Sequence, residues 1–300
     1  MQKDVSIIIV NYNTKDLTAL CINSVFEKTL GLSFEVILVD NSSKDGSREL
    51  FNKDNRIIYI YSEENLGFGR ANNLGLKIAQ GRNVLFLNPD TILFNNAAKI
   101  LSNFLDENQS VGACGGNLVD EEMRPALSFK RIFPGLMWEC NNLLFHLPEK
   151  LYYGKSWFYN HTIDELDVAY ISGADLMVRK DILDEVGSFS PDFFMYYEET
   201  DLCFRISRAG YKIKSIPSAN IQHLEGKSFQ PSVVNIKRIE VSEIGRSIFY
   251  KKNYTVRYTN LANLVYKIAL FFHQLIFKML GQTTKAETCR IRRQILSQIF

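Results

Sequence analysis

Four short apolar runs, at residues 5–10, 34–40, 57–61 and 84–87, constrain this chain more than any other feature. Their hydrophobicity is continuous rather than alternating, as in Ser6-Ile7-Ile8-Ile9-Val10 and Val36-Ile37-Leu38-Val39, so each strand they form must be covered on both faces. The stretches between them have the length and periodicity of helices. Strand alternating with helix is the pattern of a parallel sheet, and the sequence predicts an α/β, Rossmann-like core, mostly parallel and flanked by helices. In such sheets ligands bind beyond the carboxyl ends of the strands. The residues at those ends are polar: Asn11-Tyr12-Asn13-Thr14, Asp40-Asn41-Ser42-Ser43, Ser62-Glu63-Glu64-Asn65 and Asn88-Pro89-Asp90.

Residues 121–168 lose this regularity and become aromatic, which reads as a large insertion that covers a site or receives a substrate. Strand-like or helical patterning returns at 168–178, an acidic and aromatic segment spans 189–204, and a last strand-like piece covers 211–216. The net charge of +2 conceals an asymmetry: residues 226–300 hold 13 Lys/Arg and 3 Asp/Glu, whereas the preceding residues hold 22 and 30. A basic segment beside apolar helical patterning suits an anionic membrane surface, a nucleic acid or an ordinary solvated helix face. The acidic body and the lack of a recognisable nucleic-acid module argue against nucleic acid. Residues 261–280 are apolar but interrupted by Asn263, Lys267, His273, Gln274 and Lys278, which makes a spanning helix costly. A helix lying in the membrane interface or packing on the core is expected instead. The first apolar run is too short for a signal-peptide core, and the five cysteines are never spaced as Cys-x-x-Cys, so a cytoplasmic chain with buried, reduced thiols is expected.

Several segments have the residue types for chemistry. Asp90, after a buried strand, is placed to hold a hard divalent cation against a diphosphate, although alone it reads better as a turn or helix-capping residue. Glu198, Glu199 and Asp201 crowd three carboxylates into four positions, which raises pKa values and suits a general base; they also suit the first turn of a helix. His223 offers an imidazole to a metal. Gly67-Phe68-Gly69-Arg70-Ala71-Asn72 lacks the third glycine of the dinucleotide fingerprint and follows a later strand, which excludes a dinucleotide dehydrogenase.

In order and spacing these segments resemble the inverting family 2 glycosyltransferases of the GT-A fold, in particular the rhamnosyltransferase-like branch. The resemblance runs from about Val5 to Ser228. It implies a nucleotide-sugar-binding half at 1–120 and an acceptor-binding half at 121–225; the basic helical extension at 226–300 lies beyond it, and its charge and apolar patterning suit either membrane association or packing on the core. It further implies that Asn11, Tyr12, Asn13 and Asp40 hold the nucleobase, and that Asn65, Gly67, Arg70 and Asn72 lie along the nucleotide. Asn88 and Asp90 occupy the place of the Asp-x-Asp motif, with Asp90 and the late His223 as ligands of Mn²⁺ or Mg²⁺. Gly173, Ala174 and Asp175 resemble the acceptor-side loop. The acidic motif's second position, Glu199, is the implied base, with Glu198 and Asp201 as competitors. The implied reaction moves a sugar from dTDP-rhamnose or a UDP-hexose to a hydroxyl of a glycan or polyprenyl-linked acceptor at the inner face of the cell membrane. The rival readings are a catalytically silent nucleotide-sugar-binding subunit and a sugar nucleotidyltransferase.

Overall fold

The computed structural model describes residues 3–224 and 235–299. β1 (Lys3–Asn11), β2 (Phe34–Asp40), β3 (Ile58–Tyr61) and β4 (Gly81–Leu87) pair in parallel in the spatial order β3-β2-β1-β4. The crossovers contain α1 (Lys15–Lys28), α2 (Ser47–Phe51) and α3 (Phe68–Leu76). The continuous apolar runs are used on both faces. Ile7, Ile9, Leu38 and Leu85 enter one core layer, and Ile8, Ile37, Val84 and Phe86 the other.

The second half is mixed. β5 (Thr91–Leu93) and α4 (Ala97–Glu107) lead to β6 (Val111–Val119). β10 (Asp175–Arg179) runs antiparallel between β4 and β6, and β11 (Lys212–His223) runs parallel to β6. β5 and the short β8 (Leu166–Asp167) are antiparallel to β11. β6 was not expected from the sequence, because Gly112, Gly115 and Gly116 interrupt its apolar pattern. The glycines are what its crowded surroundings require: a Cβ on Gly116 would stand 2.5 Å from the carbonyl oxygen of Ala219. β11 is twice the length of the expected 211–216 run, continuing past Pro217 through a register shift between Ser215 and Asn220.

The insertion contains α5 (Leu136–Leu143), α6 (Leu147–Tyr153) and a two-stranded ribbon of β7 (Phe129–Lys130) with β9 (Tyr170–Ile171). α7 (Lys180–Val186) and α8 (Glu198–Arg208) precede β11. Of the C-terminal helices α9 (Ile236–Asn253), α10 (Val256–Met279) and α11 (Thr283–Ile299), α9 and α10 dock on the insertion through buried polar contacts, and α11 packs on those two. Arg246 donates to Glu139 at 2.7 Å and to Asn263 at 2.7 Å, and the Tyr250 hydroxyl donates to the same Glu139 oxygen at 2.6 Å. Buried charges persist when paired in this way, and removal of one partner is costly. No described helix is long and apolar enough to cross a membrane. Four cysteines are buried as expected, and Cys140 is exposed.

Candidate active site

The register of the sheet gathers the predicted residues on one edge. Asn11 pairs with Asp40, Leu87 with Asp175, and His223 with Thr91, so the C-terminal ends of β1, β2, β4 and β11 and the N-terminal end of the antiparallel β10 face the same side. This is the edge at which an open α/β sheet binds ligands.

On the β1–β2 side, most predicted residues are committed to shaping loops. Asn11 is fully buried; its Oδ1 accepts from the Thr14 amide at 3.2 Å and the Thr18 hydroxyl at 3.0 Å, and its Nδ2 donates to Ser43 at 3.0 Å. Asn13 adopts a left-handed backbone and accepts from the Lys44 amide at 2.7 Å. Asp40 accepts from the Ser43 amide at 2.9 Å and the Tyr59 hydroxyl at 2.8 Å. Burial and that bond to the carboxylate push the Tyr59 phenol up, so it remains a donor. Tyr12, by contrast, is 49% exposed beside these loops.

Residues 65–73 bind this side of the cleft to the other. Asn65 Oδ1 accepts from Asn41 Nδ2 at 3.0 Å and from the Gly67 amide at 2.9 Å. Gly67 has φ +80°, and a Cβ there would collide with the carbonyl oxygen of Phe194 at 2.0 Å; the Phe68 amide donates to that same oxygen at 2.9 Å. Asn72 is buried and donates to the Phe68 carbonyl at 3.1 Å, whereas Asn73 exchanges two hydrogen bonds with the Phe189 backbone. Arg70 is exposed, its Nε on the Leu66 carbonyl.

At the centre, Asn88, Asp90 and His223 converge. His223 Nε2 lies 3.3 Å from Asp90 Oδ1 and 3.3 Å from Asn88 Nδ2. The Leu224 amide donates to the Asp90 carbonyl at 2.8 Å, which fixes the end of β11 to the loop after β4. The following Glu225-Gly226-Lys227-Ser228 stretch lies outside the described residues. Two adjacent ligands of a six-coordinate cation at bonds of about 2.1 Å stand about 3 Å apart, so the Asp90–His223 spacing matches a pair of metal donors. Among the described residues no group of three acidic, His or Cys side chains is arranged to hold a metal ion, so a cation on Asp90 and His223 would take its remaining ligands from phosphate oxygens and water. Asp175 faces inward: it is fully buried, its Oδ2 accepts from the Gly116 amide at 2.6 Å, and its Oδ1 has no partner. Burial pushes its carboxyl up to about 7. Of the two residues just before it, Ala174 is buried in the core, so it does not face an acceptor as expected, whereas Gly173 is half-buried, and a Cβ there would stand 3.7 Å from the Phe68 ring and 3.8 Å from Glu199 Cβ.

The acidic motif opens α8 with all three carboxylates in the first turn, where the helix dipole favours negative charge. The structure separates them. Asp201 is fully buried, accepting from Arg205 Nε at 2.9 Å and Asn253 Nδ2 at 3.2 Å, while Arg205 also donates to the carbonyls of Val186, Gly187 and Ser188. Glu198 is 3% exposed, with Oε2 unpartnered, and burial followed by the charge of Glu199 raises its pKa far above the carboxylate range. Glu199 is partly exposed, its Oε1 within 3.3 Å of the Thr200 hydroxyl, and burial raises its pKa as well. Sequence reasoning missed the supporting residues Tyr59, Arg205 and Asn253. The four-residue spacing of Asp201 and Arg205 was a legible signal; Asn253, on a separate helix, had none.

Known proteins agree with this architecture. The chain is 26% identical over 273 residues to the low-salt glycan biosynthesis hexosyltransferase Agl10 of Haloferax volcanii, covering 88% of this chain and 83% of that one. It is 41% identical over 88 residues to the UDP-Glc:alpha-D-GlcNAc-diphosphoundecaprenol beta-1,3-glucosyltransferase WfaP of Escherichia coli, covering 29% and 35% of the two chains. A crystal structure of GalNAc-T7 with UDP, GalNAc and Mn²⁺ superposes with a TM-score of 0.58 at 16% identity, over 83% of this chain and 50% of that one, which establishes a shared fold. Residues 6–187 match the model of Glycosyl transferase family 2. With that match spanning most of the chain and the sheet edge assembled as described, the chain belongs to glycosyl transferase family 2.

Proposed function

We propose that this cleft transfers a sugar from a nucleoside-diphosphate donor to a hydroxyl of a glycan or lipid-linked acceptor, with inversion at the anomeric carbon, during assembly of a surface polysaccharide. The observation that carries the reading is the division of labour on one sheet edge. The Asp90–His223 pair, 3.3 Å apart, fits a diphosphate-bound cation, and Glu199 is the carboxylate of its motif left partly open while Glu198 and Asp201 are shut in. Asp90 and His223 would hold Mn²⁺ or Mg²⁺, which when bound supplies positive charge to the departing diphosphate.

The chain's own residues supply the rest. Tyr12 offers an exposed ring for the nucleobase, with Asn11, Asn13 and Asp40 holding its loops in shape. Asn65, Gly67 and Asn72 set the segment along the nucleotide, from which Arg70 reaches solvent on the diphosphate side. Asn88 orients the His223 ring. Glu199 accepts the proton of the acceptor hydroxyl as that oxygen bonds to the anomeric carbon, and the bond to the diphosphate breaks on the opposite face. Gly173 borders Glu199 on the acceptor side, and the buried Asp175 holds the Gly116 amide behind it.

Similarity to a protein whose name specifies UDP-Glc and a diphosphoundecaprenol acceptor favours a UDP-hexose over dTDP-rhamnose and supports a lipid-linked acceptor. Family membership sets aside the nucleotidyltransferase alternative. Calorimetric titration with UDP, dTDP and GDP, each with and without Mn²⁺, tests the reading. It predicts Mn²⁺-dependent binding of a pyrimidine diphosphate, weakened at least about tenfold in Asp90→Ala. No binding of any of the three would remove the nucleotide site.

A further inference from the structure

Helix α10 turns most of its large apolar side chains away from the protein. The side it turns to the protein mixes Ala262, Ala269 and Leu270 with polar groups that are all engaged: Thr259 donates to the Tyr250 carbonyl at 3.3 Å, Asn263 accepts from Arg246 at 2.7 Å, Tyr266 donates to Glu243 at 2.9 Å, and His273 Nε2 lies 3.3 Å from the Leu143 carbonyl. The opposite side carries Leu264, Ile268, Phe271, Phe272, Leu275 and Met279, all exposed, with Phe272 at 50% and Met279 at 86%. These positions recur at three and four residues, so they form one stripe along most of the helix. Single exposed apolar residues are ordinary, but a contiguous stripe of this length marks an interaction surface.

Charge identifies what covers it. Between Glu243 and Glu287 the chain carries seven Lys/Arg and no Asp/Glu. Both bounding glutamates are themselves paired, Glu243 with Arg292 and Glu287 with Arg290. Lys267 and Lys278, about three turns apart, lie along one flank of the stripe, and Arg293 rests its guanidinium 5.1 Å from the Phe271 ring centre on that flank. A second copy of the chain laid against this stripe would bring these cations toward their own counterparts, whereas an anionic lipid surface offers both an apolar layer and opposite charge. The buried polar contacts prevent α10 from leaving the protein, and it falls short of a spanning helix, so it lies along the surface.

We propose that the outer face of α10 docks this protein in the plane of an anionic bilayer, with the stripe at the acyl boundary and Lys267, Lys278 and Arg293 among the headgroups. The assignment is independent of the catalytic reading, since it concerns binding alone.

Flotation of the full chain with phosphatidylcholine vesicles, with and without phosphatidylglycerol, tests it. The wild-type protein floats with the anionic vesicles and is released by high salt. Phe272→Glu combined with Leu275→Glu lowers partitioning about tenfold or more at an unchanged circular dichroism spectrum. Lys267→Gln with Lys278→Gln, which leaves the apolar stripe intact, lowers it in anionic vesicles only. Absence of vesicle binding by the wild type, or binding untouched by both double variants, overturns the proposal. So does a dimer in light scattering that the Phe272→Glu, Leu275→Glu variant dissociates, because the stripe then belongs to a second copy.

Discussion

Gly245 in α9 faces the carbonyl oxygen of Tyr196 so closely that a Cβ would stand 2.6 Å from it. Tyr196 and Tyr197, the two residues that lead into the acidic turn of α8, have φ of +69° and +74°. Successive left-handed residues other than glycine cost of the order of 1–2 kcal/mol each and persist only where packing over-determines them. α9 supplies that packing, and Asn253 on the same helix holds Asp201. α9 thereby holds the chain on both sides of Glu199, at the Tyr196 backbone before it and at the Asp201 carboxylate after it.

Gly245→Ala is therefore expected to displace the Tyr196–Glu198 turn. A misplacement of about 1 Å can cost about 100-fold in turnover. The expected outcome is a fall in kcat of that order with an unchanged Kd for nucleoside diphosphate, checked by steady-state kinetics beside calorimetry. An equal loss of nucleotide affinity would show that α9 supports the whole cleft rather than this turn.

Much of this arrangement was legible in the sequence, for physical reasons that also mark where legibility ends. β1 to β4 announce themselves because each is apolar on both faces. β6 does not, because its glycines remove the signal that its crowded neighbours demand. The approach of His223 to Asp90 depends on β11 running past Pro217, which an ordinary strand reading terminates. The pairing of Asp201, which sets it apart from Glu198 and Glu199, depends on Arg205 one turn along α8 and on Asn253 from α9. The pattern of the tail is compatible with packing and with membrane contact; α10 packs one mixed face on the protein and leaves the face of Phe272 and Leu275 exposed.

The pH dependence of transfer has a defined direction. Burial raises the Glu199 pKa, so its carboxyl keeps its proton to higher pH than an ordinary glutamate, and a general base works only once that proton has left. The acidic limb of kcat/KM is expected above the usual carboxylate range. A limb at or below about pH 4, the unperturbed glutamate value, would point to a solvated base.

Asp175 makes a second pH prediction, for stability. Its carboxyl is pushed from 3.8 to about 7 by burial. The folded state thus favours the protonated form, a contribution fully present below about pH 4 and lost as pH rises through about 7. The full shift corresponds to about 4 kcal/mol. Asp175→Asn, which cannot ionise, is expected to flatten that dependence, so that denaturant midpoints of wild type and variant converge in acid and separate in favour of the variant toward pH 8. Parallel curves would show that Asp175 does not titrate in this window.

The most direct test of the central claim, that Glu199 is the base of a glycosyl transfer in this cleft, is donor turnover by wild type and Glu199→Gln, with nucleoside-diphosphate binding measured on the same samples. The account predicts that the wild type releases nucleoside diphosphate from its sugar donor in the presence of Mn²⁺. Glu199→Gln should bind the diphosphate as tightly and turn over about 100- to 10,000-fold more slowly. Full turnover by Glu199→Gln would contradict the account and move the base to another residue.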